Sequence, residues 1–224
     1  MPSTVSIIIP TYNTEKFLAE TLNSVIDQDY RPIEVVVVDD GSTDQTVALA
    51  RKILAASALP HHIFTAINGG QNVARNIGLG LATGDLIKFL DHDDILPPWA
   101  IQTQVTALEE SGADLLIGSI ERFDDKDAES FLAERASEDP PPPTTPIDPG
   151  HPLSTARKYG PTFNEALVKS KVIRAAGGFS PKLGTCEEFN LLGRISLLTP
   201  AAELRYQETP VVLYKRCFEG SLAI

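Results

Sequence analysis

The sequence predicts an α/β fold, a mostly parallel central sheet flanked by helices. Three observations predict it. Short apolar runs rich in β-branched residues alternate, through the first half, with stretches whose apolar residues recur at helical spacing. One run, Ile33 to Val38, is almost unbroken, as expected of a strand covered on both faces. Polar and glycine-rich residues follow each run, at the carboxyl ends of the expected strands, where an open parallel sheet binds its ligands.

The elements follow in order. Val5 to Ile9 reads as the first strand, and the next helix carries Leu18, Leu22, Val25 and Ile26 on one face. Ile33 to Val38 is the second strand. Ser42 and Gln45 match a capping box, so a helix is expected to start near Asp44, with Val47, Ala50 and Leu54 inward. His62 to Ile67 is the third strand, and its helix carries Val73, Ile77 and Leu81. Leu86 to Leu90 is the fourth. Pro97 and Pro98 suit the first turn of a helix with Ile101, Val105 and Leu108 inward. Asp114 to Ser119 is the fifth strand, and right-handed crossovers are expected throughout.

The alternation then breaks. Residues 121 to 139 are dense in charge, and Asp139 to Gly150 contains Pro140, Pro141, Pro142, Pro143, Pro146 and Pro149. Such a stretch forms neither helix nor central strand, so a flexible linker or flap is expected. Beyond it come a strand at Glu165 to Lys169, a helix from Glu187 to Leu198 with Leu191, Ile195 and Leu198 inward, and a strand at Val211 to Tyr214. The expected organisation is one continuous domain in three parts, 1–120, 121–150 and 151–224.

Composition narrows the function. With 42% hydrophobic residues the chain can pack a core, and its net charge of −11 argues against a nucleic-acid backbone as partner. Ile7 to Ile9 and Val35 to Val38 are too short to span a bilayer, and the first residues lack the pattern of a signal peptide. A cytoplasmic protein is expected, with Cys186 and Cys217 as free thiols.

The candidate site lies on one sheet edge. The first strand delivers Pro10-Thr11-Tyr12-Asn13 and the second Asp39-Asp40-Gly41-Ser42. The third delivers Asn68-Gly69-Gly70, with Arg75 just into the helix, and the fourth Asp91, Asp93 and Asp94. Singly, these are ordinary turn and cap residues; together they point to a site. Tyr12 offers a ring to stack on a nucleobase, and Asp40 an acceptor for a ring N–H or a ribose hydroxyl. Arg75 suits a base or phosphate, or an ion pair to Asp39 or Asp40. Asp91, Asp93 and Asp94 would repel one another unless a cation sat among them, and oxygen ligands suit Mg²⁺ or Mn²⁺. His92 reads as structural. No phosphate-binding GxxxxGK[ST] loop, dinucleotide fingerprint, GxSxG or HExxH is present.

These residues carry a resemblance. Ile9-Pro10-Thr11-Tyr12-Asn13, Val38-Asp39-Asp40-Gly41-Ser42-Thr43-Asp44, Asn68-Gly69-Gly70 with Ala74-Arg75-Asn76-x-Gly78, and Ala82-Thr83-Gly84-Asp85 leading to Phe89-Leu90-Asp91-x-Asp93-Asp94 occur in sequence. Gly177-Gly178-Phe179 and Glu187-Glu188-Phe189-x-Leu191-x-x-Arg194 follow. In this order they resemble the family 2 inverting glycosyltransferases, which have the GT-A fold. The resemblance implies a nucleotide-sugar-binding half at 1–120 and an acceptor and catalytic-base half at 151–224. It implies donor contacts from Pro10, Tyr12, Asp39, Asp40, Arg75, Asp91 and Asp93. Asp91 and Asp93 match the DxD pair that handles ribose, diphosphate and metal, with Asp94 close enough to be the direct ligand instead.

Glu188 occupies the place of the general base, usually an Asp; Glu187 is the alternative, or a partner that orients the acceptor. The extra methylene shifts the carboxylate by about 1.5 Å. A helix start there would favour the ionised form and lower its pKa. The tail reads Tyr214-Lys215-Arg216 without the family's His, so Lys215 or Arg216 is expected to meet phosphate. The implied partners are a UDP-sugar donor and a carbohydrate or lipid-linked acceptor, with peripheral association at the inner face of the cell membrane. The competing readings are a nucleotide-sugar-binding module without turnover, and a sugar nucleotidyltransferase. The last would need a basic, glycine-rich loop after the first strand.

Overall fold

The computed structural model describes residues 1–135, 163–184, 186–198 and 203–217. The Pro-rich stretch from Asp139 to Gly150, expected to be a flap, lies outside them. The strands are β1 (Val5–Thr11), β2 (Ile33–Asp39), β3 (His61–Thr65), β4 (Leu86–Phe89), β5 (Leu115–Asp124), β6 (Ala166–Lys169) and β7 (Leu204–Cys217). The helices are α1 (Leu18–Ile26), α2 (Thr46–Ala56), α3 (Gln71–Leu81), α4 (Ala100–Ser111), α5 (Ala128–Arg135), α6 (Ser170–Ala175) and α7 (Glu187–Leu198).

All seven strands join one sheet in the order β3-β2-β1-β4-β6-β5-β7. β1 pairs in parallel with β2 and β4, β2 with β3, and β5 with β7. Only β6 runs against its neighbours, pairing antiparallel with β4 and with β5. The sheet is therefore mostly parallel, as expected, with a reversed strand that short-range pattern did not announce.

The β-branched runs feed both faces. Ile7, Ile9, Val35 and Val37 pack with Leu18 and Leu22 of α1, Leu54 of α2, and Ile101, Val105 and Leu108 of α4. Ile8, Val36 and Val38 point the other way, into a core with Ala74 and Leu79 of α3, Phe179, and Leu191 and Ile195 of α7. Alternate side chains on a strand leave on opposite faces. A run with no polar alternation is what two covered faces require.

Several local expectations are corrected. α3 does not bury Val73, Ile77 and Leu81 as its inner stripe; Ala74, Arg75, Gly78 and Leu79 are buried instead. The reason is close approach: a Cβ on Gly78 would lie 2.3 Å from Ile8 Cγ2, so only a hydrogen fits between helix and strand. The capping box at Ser42 is not formed. Its hydroxyl donates to Asp39 and accepts from Asn13 N, and α2 starts at Thr46, where the Asp44 carboxylate accepts from the backbone. The charged stretch after residue 120 does not begin as a loose linker. β5 runs through Asp124, and Phe131 of α5 stacks on Phe123 and meets Tyr214 edge-on. Arg135 closes the unit on Glu121, 2.6 Å away. No helix among the described residues is long and apolar enough to cross a membrane.

Candidate active site

The carboxyl ends of β1, β2 and β4 lie side by side, because these strands are parallel neighbours in register. A cavity of about 380 Å³ opens there, lined by Pro10, Thr11, Tyr12, Asp40, Asn68, Gly70, Gln71, Ala74 and His92. Tyr12 is 47% exposed on its rim, free to offer a ring face. His92 belongs to the lining, and its ring is fixed by a 2.9 Å hydrogen bond between Nδ1 and the Thr14 hydroxyl.

The two carboxylates at the end of β2 are committed to the loops. Asp40 accepts from Gly69 N and Gly70 N, both at 2.8 Å, which pins the Asn68-Gly69-Gly70 loop against the cavity. Gly70 has φ of +89°, a conformation glycine adopts without a Cβ penalty. Asp39 is fully buried and accepts from Ser42 N and from the Ser42 and Thr11 hydroxyls.

Arg75 is the centre of the acidic side. It is buried, and its Nη2 donates to Asp91 Oδ1 at 3.0 Å rather than to Asp39 or Asp40. Its Nη1 lies 3.7 Å from Glu188 and 3.9 Å from Glu187. Its guanidinium sits over the Phe179 ring, 5.0 Å from the centroid. One guanidinium thus joins an aspartate at the end of β4 to the glutamates at the start of α7.

The expected trio of metal ligands is not gathered as expected. Among the described residues, no three His, Cys, Asp or Glu side chains surround a point that could hold a metal ion. The reason is competition for the same carboxylates. Asp91 is drawn to Arg75 and to Gln71 Nε2, 2.8 Å away. Asp94 is buried, and its Oδ1 accepts from Arg216 N at 3.1 Å. The second oxygens of these two meet at one amide: Asn164 Nδ2 donates to Asp91 Oδ2 at 2.6 Å and to Asp94 Oδ2 at 3.2 Å.

Charge and burial set the protonation states. Burial alone would raise Asp91, but Arg75, the Asn164 hydrogen bond and Lys215 hold it below the usual carboxylate range. Asp93 is raised by burial and, in smaller part, by Asp91, against the pull of His92. Asp94 is pushed up to about 8 by burial and by the Asp91 charge. Glu188 is pushed up to about 7 by burial, against the pull of Arg75 and of a 3.1 Å hydrogen bond from Phe163 N. This corrects the sequence expectation of a lowered value, since desolvation of the carboxylate outweighs the helix start.

The two basic residues of the tail divide the work. An antiparallel bridge between Ile95 and Tyr214 sets β7 beside the Asp93–Asp94 turn. Arg216 then ties the fold: it donates to Asp93 O, to Asp125 and to Glu20, and lies over the Phe17 and Phe123 rings. Lys215 stands among the acids. Burial would lower its pKa, but Asp94, Asp91, Glu165 and Asp93 raise it.

Sequence reasoning missed Asn164, Phe163 and Lys88. Lys88 left a signal: a lone charge inside the apolar run Leu86-Ile87-Lys88-Phe89-Leu90. It is fully buried, and its Nζ donates to Asn164 O at 2.6 Å. Asn164 and Phe163 left none, because their partners come from distant segments. Cys186 and Cys217 are free thiols, as expected.

The chain matches known proteins. Residues 6–173 match the glycosyl transferase family 2 profile. Glycosyltransferase GlyG of Streptococcus pneumoniae is 31% identical over 132 residues, covering 59% of this chain and 44% of that protein. The poly(ribitol-phosphate) beta-N-acetylglucosaminyltransferase TarS of Staphylococcus aureus is 37% identical over 114 residues, covering 50% of this chain and 20% of that one. The chain therefore spans less than half the length of these relatives. The crystal structure of S. aureus TarS 1-349 in complex with UDP-GlcNAc superimposes with a TM-score of 0.78 at 24% identity, over 97% of this chain and 60% of that one. The mannosyltransferase PcManGT of Pyrobaculum calidifontis, in complex with GDP-Man and Mn²⁺, superimposes with a TM-score of 0.66 at 23% identity, over 100% and 58%. The matched span, which carries the motifs of four strand ends in order, and the shared architecture place the chain in glycosyl transferase family 2, on the GT-A fold.

Proposed function

We propose that this chain transfers a sugar from a UDP-sugar donor to an acceptor hydroxyl, with inversion and with the help of a divalent cation. One observation carries the reading: Arg75 holds Asp91, at the donor edge of the sheet, and Glu188, at the start of α7, on a single guanidinium. A base and a donor-handling carboxylate thus each lie within 4 Å of one buried guanidinium. The donor assignment draws on TarS, whose structures hold UDP and UDP-GlcNAc.

The residues divide into roles. Tyr12 on the cavity rim stacks on the nucleobase, with Pro10 and Asp40 lining the same cavity. Asp39 acts through Ser42, and Asp40 through the glycine loop it pins. Arg75 and Lys215 supply positive charge to a protein whose net charge is −11. Asp91 and Asp94 fit an open site for Mg²⁺ or Mn²⁺, which bind through one or two carboxylates and take remaining ligands from phosphates and water. The geometry fits too, since one oxygen of each carboxylate converges on Asn164 Nδ2, which brings the two acids to one place. When bound, such a cation supplies charge neutralisation to the leaving diphosphate.

In the transfer, Glu188 takes the proton of the acceptor hydroxyl. The hydroxyl oxygen bonds to the anomeric carbon from the face opposite the diphosphate. The bond from that carbon to the diphosphate oxygen breaks, and the electron pair leaves with the nucleoside diphosphate, toward Lys215. A pKa of about 7 makes Glu188 a stronger base than an ordinary carboxylate while leaving it largely ionised at mildly alkaline pH.

Calorimetry with UDP, in Mn²⁺ and then in chelator, tests the donor side. Affinity should fall about tenfold or more on chelation, a difference of about 1.4 kcal/mol. Equal affinity in both conditions removes the cation from the reading. No binding of UDP or UDP-sugars in either condition removes the donor.

A further inference from the structure

We infer that Asn164 is a positioning residue whose amide bridges Asp91 and Asp94 and sets the spacing at which they meet a diphosphate and its cation. The inference rests on the donor reading above and goes beyond it. Asn164 is 1% exposed and comes from the segment before β6, far in sequence from the acidic turn. Its single Nδ2 serves two carboxylate oxygens, at 2.6 Å and 3.2 Å, spending both amide hydrogens on the same pair of acids. The amide orientation follows from charge, since a turned amide would set its oxygen against the Asp91 carboxylate that now lies 2.6 Å from Nδ2.

The fold accepts a cost for this arrangement. Asn164 Oδ1 is buried with no hydrogen-bond partner among the described residues, an unmet acceptor worth about 1–3 kcal/mol. A side chain kept only for packing would not need an amide here. The residue is also held from behind. Lys88 Nζ donates to its main-chain oxygen at 2.6 Å, from a strand adjacent to β6. The neighbouring Phe163 N donates to Glu188 at 3.1 Å. Two consecutive residues therefore touch the donor acids with a side chain and the base with a main-chain N–H. The antiparallel β6 that follows them anchors both against β4.

The role is that of a group which orients a ligand without contacting what is bound. Removing such partners from metal sites costs affinity by about 10- to 100-fold. The test is calorimetry of UDP, with MnCl₂ and with chelator, on the parent chain, Asn164→Ala and Asn164→Leu. Leu keeps the branched volume of Asn, so it carries the test if the Ala variant does not melt cooperatively. UDP affinity in Mn²⁺ should fall about 10- to 100-fold in both variants, while affinity in chelator matches the parent. Loss by the same factor in both conditions would show a general structural defect and overturn the role. So would an unchanged affinity in Mn²⁺. A parent that shows no Mn²⁺ dependence fails the donor reading itself; a variant that matches a metal-dependent parent fails Asn164 alone.

Discussion

At the scale of single residues, the proposal turns on Glu188 as the base. Its side chain is largely buried, with the carboxylate 3.7 Å from Arg75 Nη1. Glu188→Gln should bind UDP nearly as the parent does and lose turnover by about 10²-fold or more, once an acceptor is in hand. Glu187→Gln, 3.9 Å from the same guanidinium, should keep most of it. Full turnover in Glu188→Gln rejects the base, and full turnover in both removes α7 from the chemistry. The pH dependence follows from the raised value. The proposed base can take a proton only when ionised, and with a pKa of about 7 its ionised fraction falls as pH drops below that point. The rate should therefore decline about tenfold per unit on the acid side and level off above. A flat profile between pH 5.5 and 8, in a buffer where donor binding stays constant, would remove Glu188 from the rate-limiting proton transfer.

At the scale of elements, the Gly177-Gly178-Phe179 turn ties α3 to α7. Asn76 of α3 donates to Phe179 O and accepts from Phe179 N, both at 2.8 Å, a side chain acting as a strand partner. Arg194 of α7 donates to Ala176 O and Gly178 O from the other side. The turn thus fixes Phe179, over whose ring Arg75 lies. Gly178 has φ of +67°, and a Cβ there would lie 2.5 Å from Asn76 Oδ1. Gly178→Ala should cost about 1–3 kcal/mol in urea denaturation, through strain at the turn and displacement of a bonded amide. UDP affinity should fall with it, because Arg75 loses its seat. A variant with parent stability would show that the turn relaxes without cost.

At the scale of the whole molecule, buried ionisable residues lie in β4, just before β6 and at the start of α7. Glu165 is pushed up to about 8 by burial and Glu188, and Glu188 to about 7. Both keep protons in the folded state at pH values where the unfolded chain, near 4.5, has released them. Their stabilising contribution is complete below the unfolded value and is lost as pH rises through the folded one. Lys88 acts in a different window. Burial lowers it to about 7 from 10.5, so its term makes stability rise again from about 7 toward 10.5. The free chain should therefore melt at a lower temperature at pH 7 than at pH 5. Calorimetric scans at the two values check this, and Glu165→Gln should flatten the difference. A melting temperature that rises between pH 5 and 7 would contradict the assignment.

The sequence by itself determined the strands, their two covered faces and the edge on which the site lies. These are local properties: β-branched runs fix strands, helical spacing fixes helices, and chain direction in a parallel sheet sends every Pro10-, Asp39- and Asp91-type strand end to one rim. The resemblance brought Glu188 into view, because its motif is contiguous. The tertiary structure alone decided which partners those residues take. Arg75 pairs with Asp91 and not with Asp39 or Asp40, although all three aspartates belong to one sheet edge. Asp40 spends its charge on two glycine N–H groups, which no reading of its own segment would show. The carboxylates of Asp91 and Asp94 are engaged by Arg75, the Arg216 main-chain N–H and Asn164, each from another part of the chain. Lys215 lies near Asp91 and Asp94 while the Arg216 side chain goes to Asp125 and Glu20, as strand neighbours that point to opposite sides. Protonation followed the same rule: the helix start favours an ionised Glu188, but burial by distant segments is worth more and raises it.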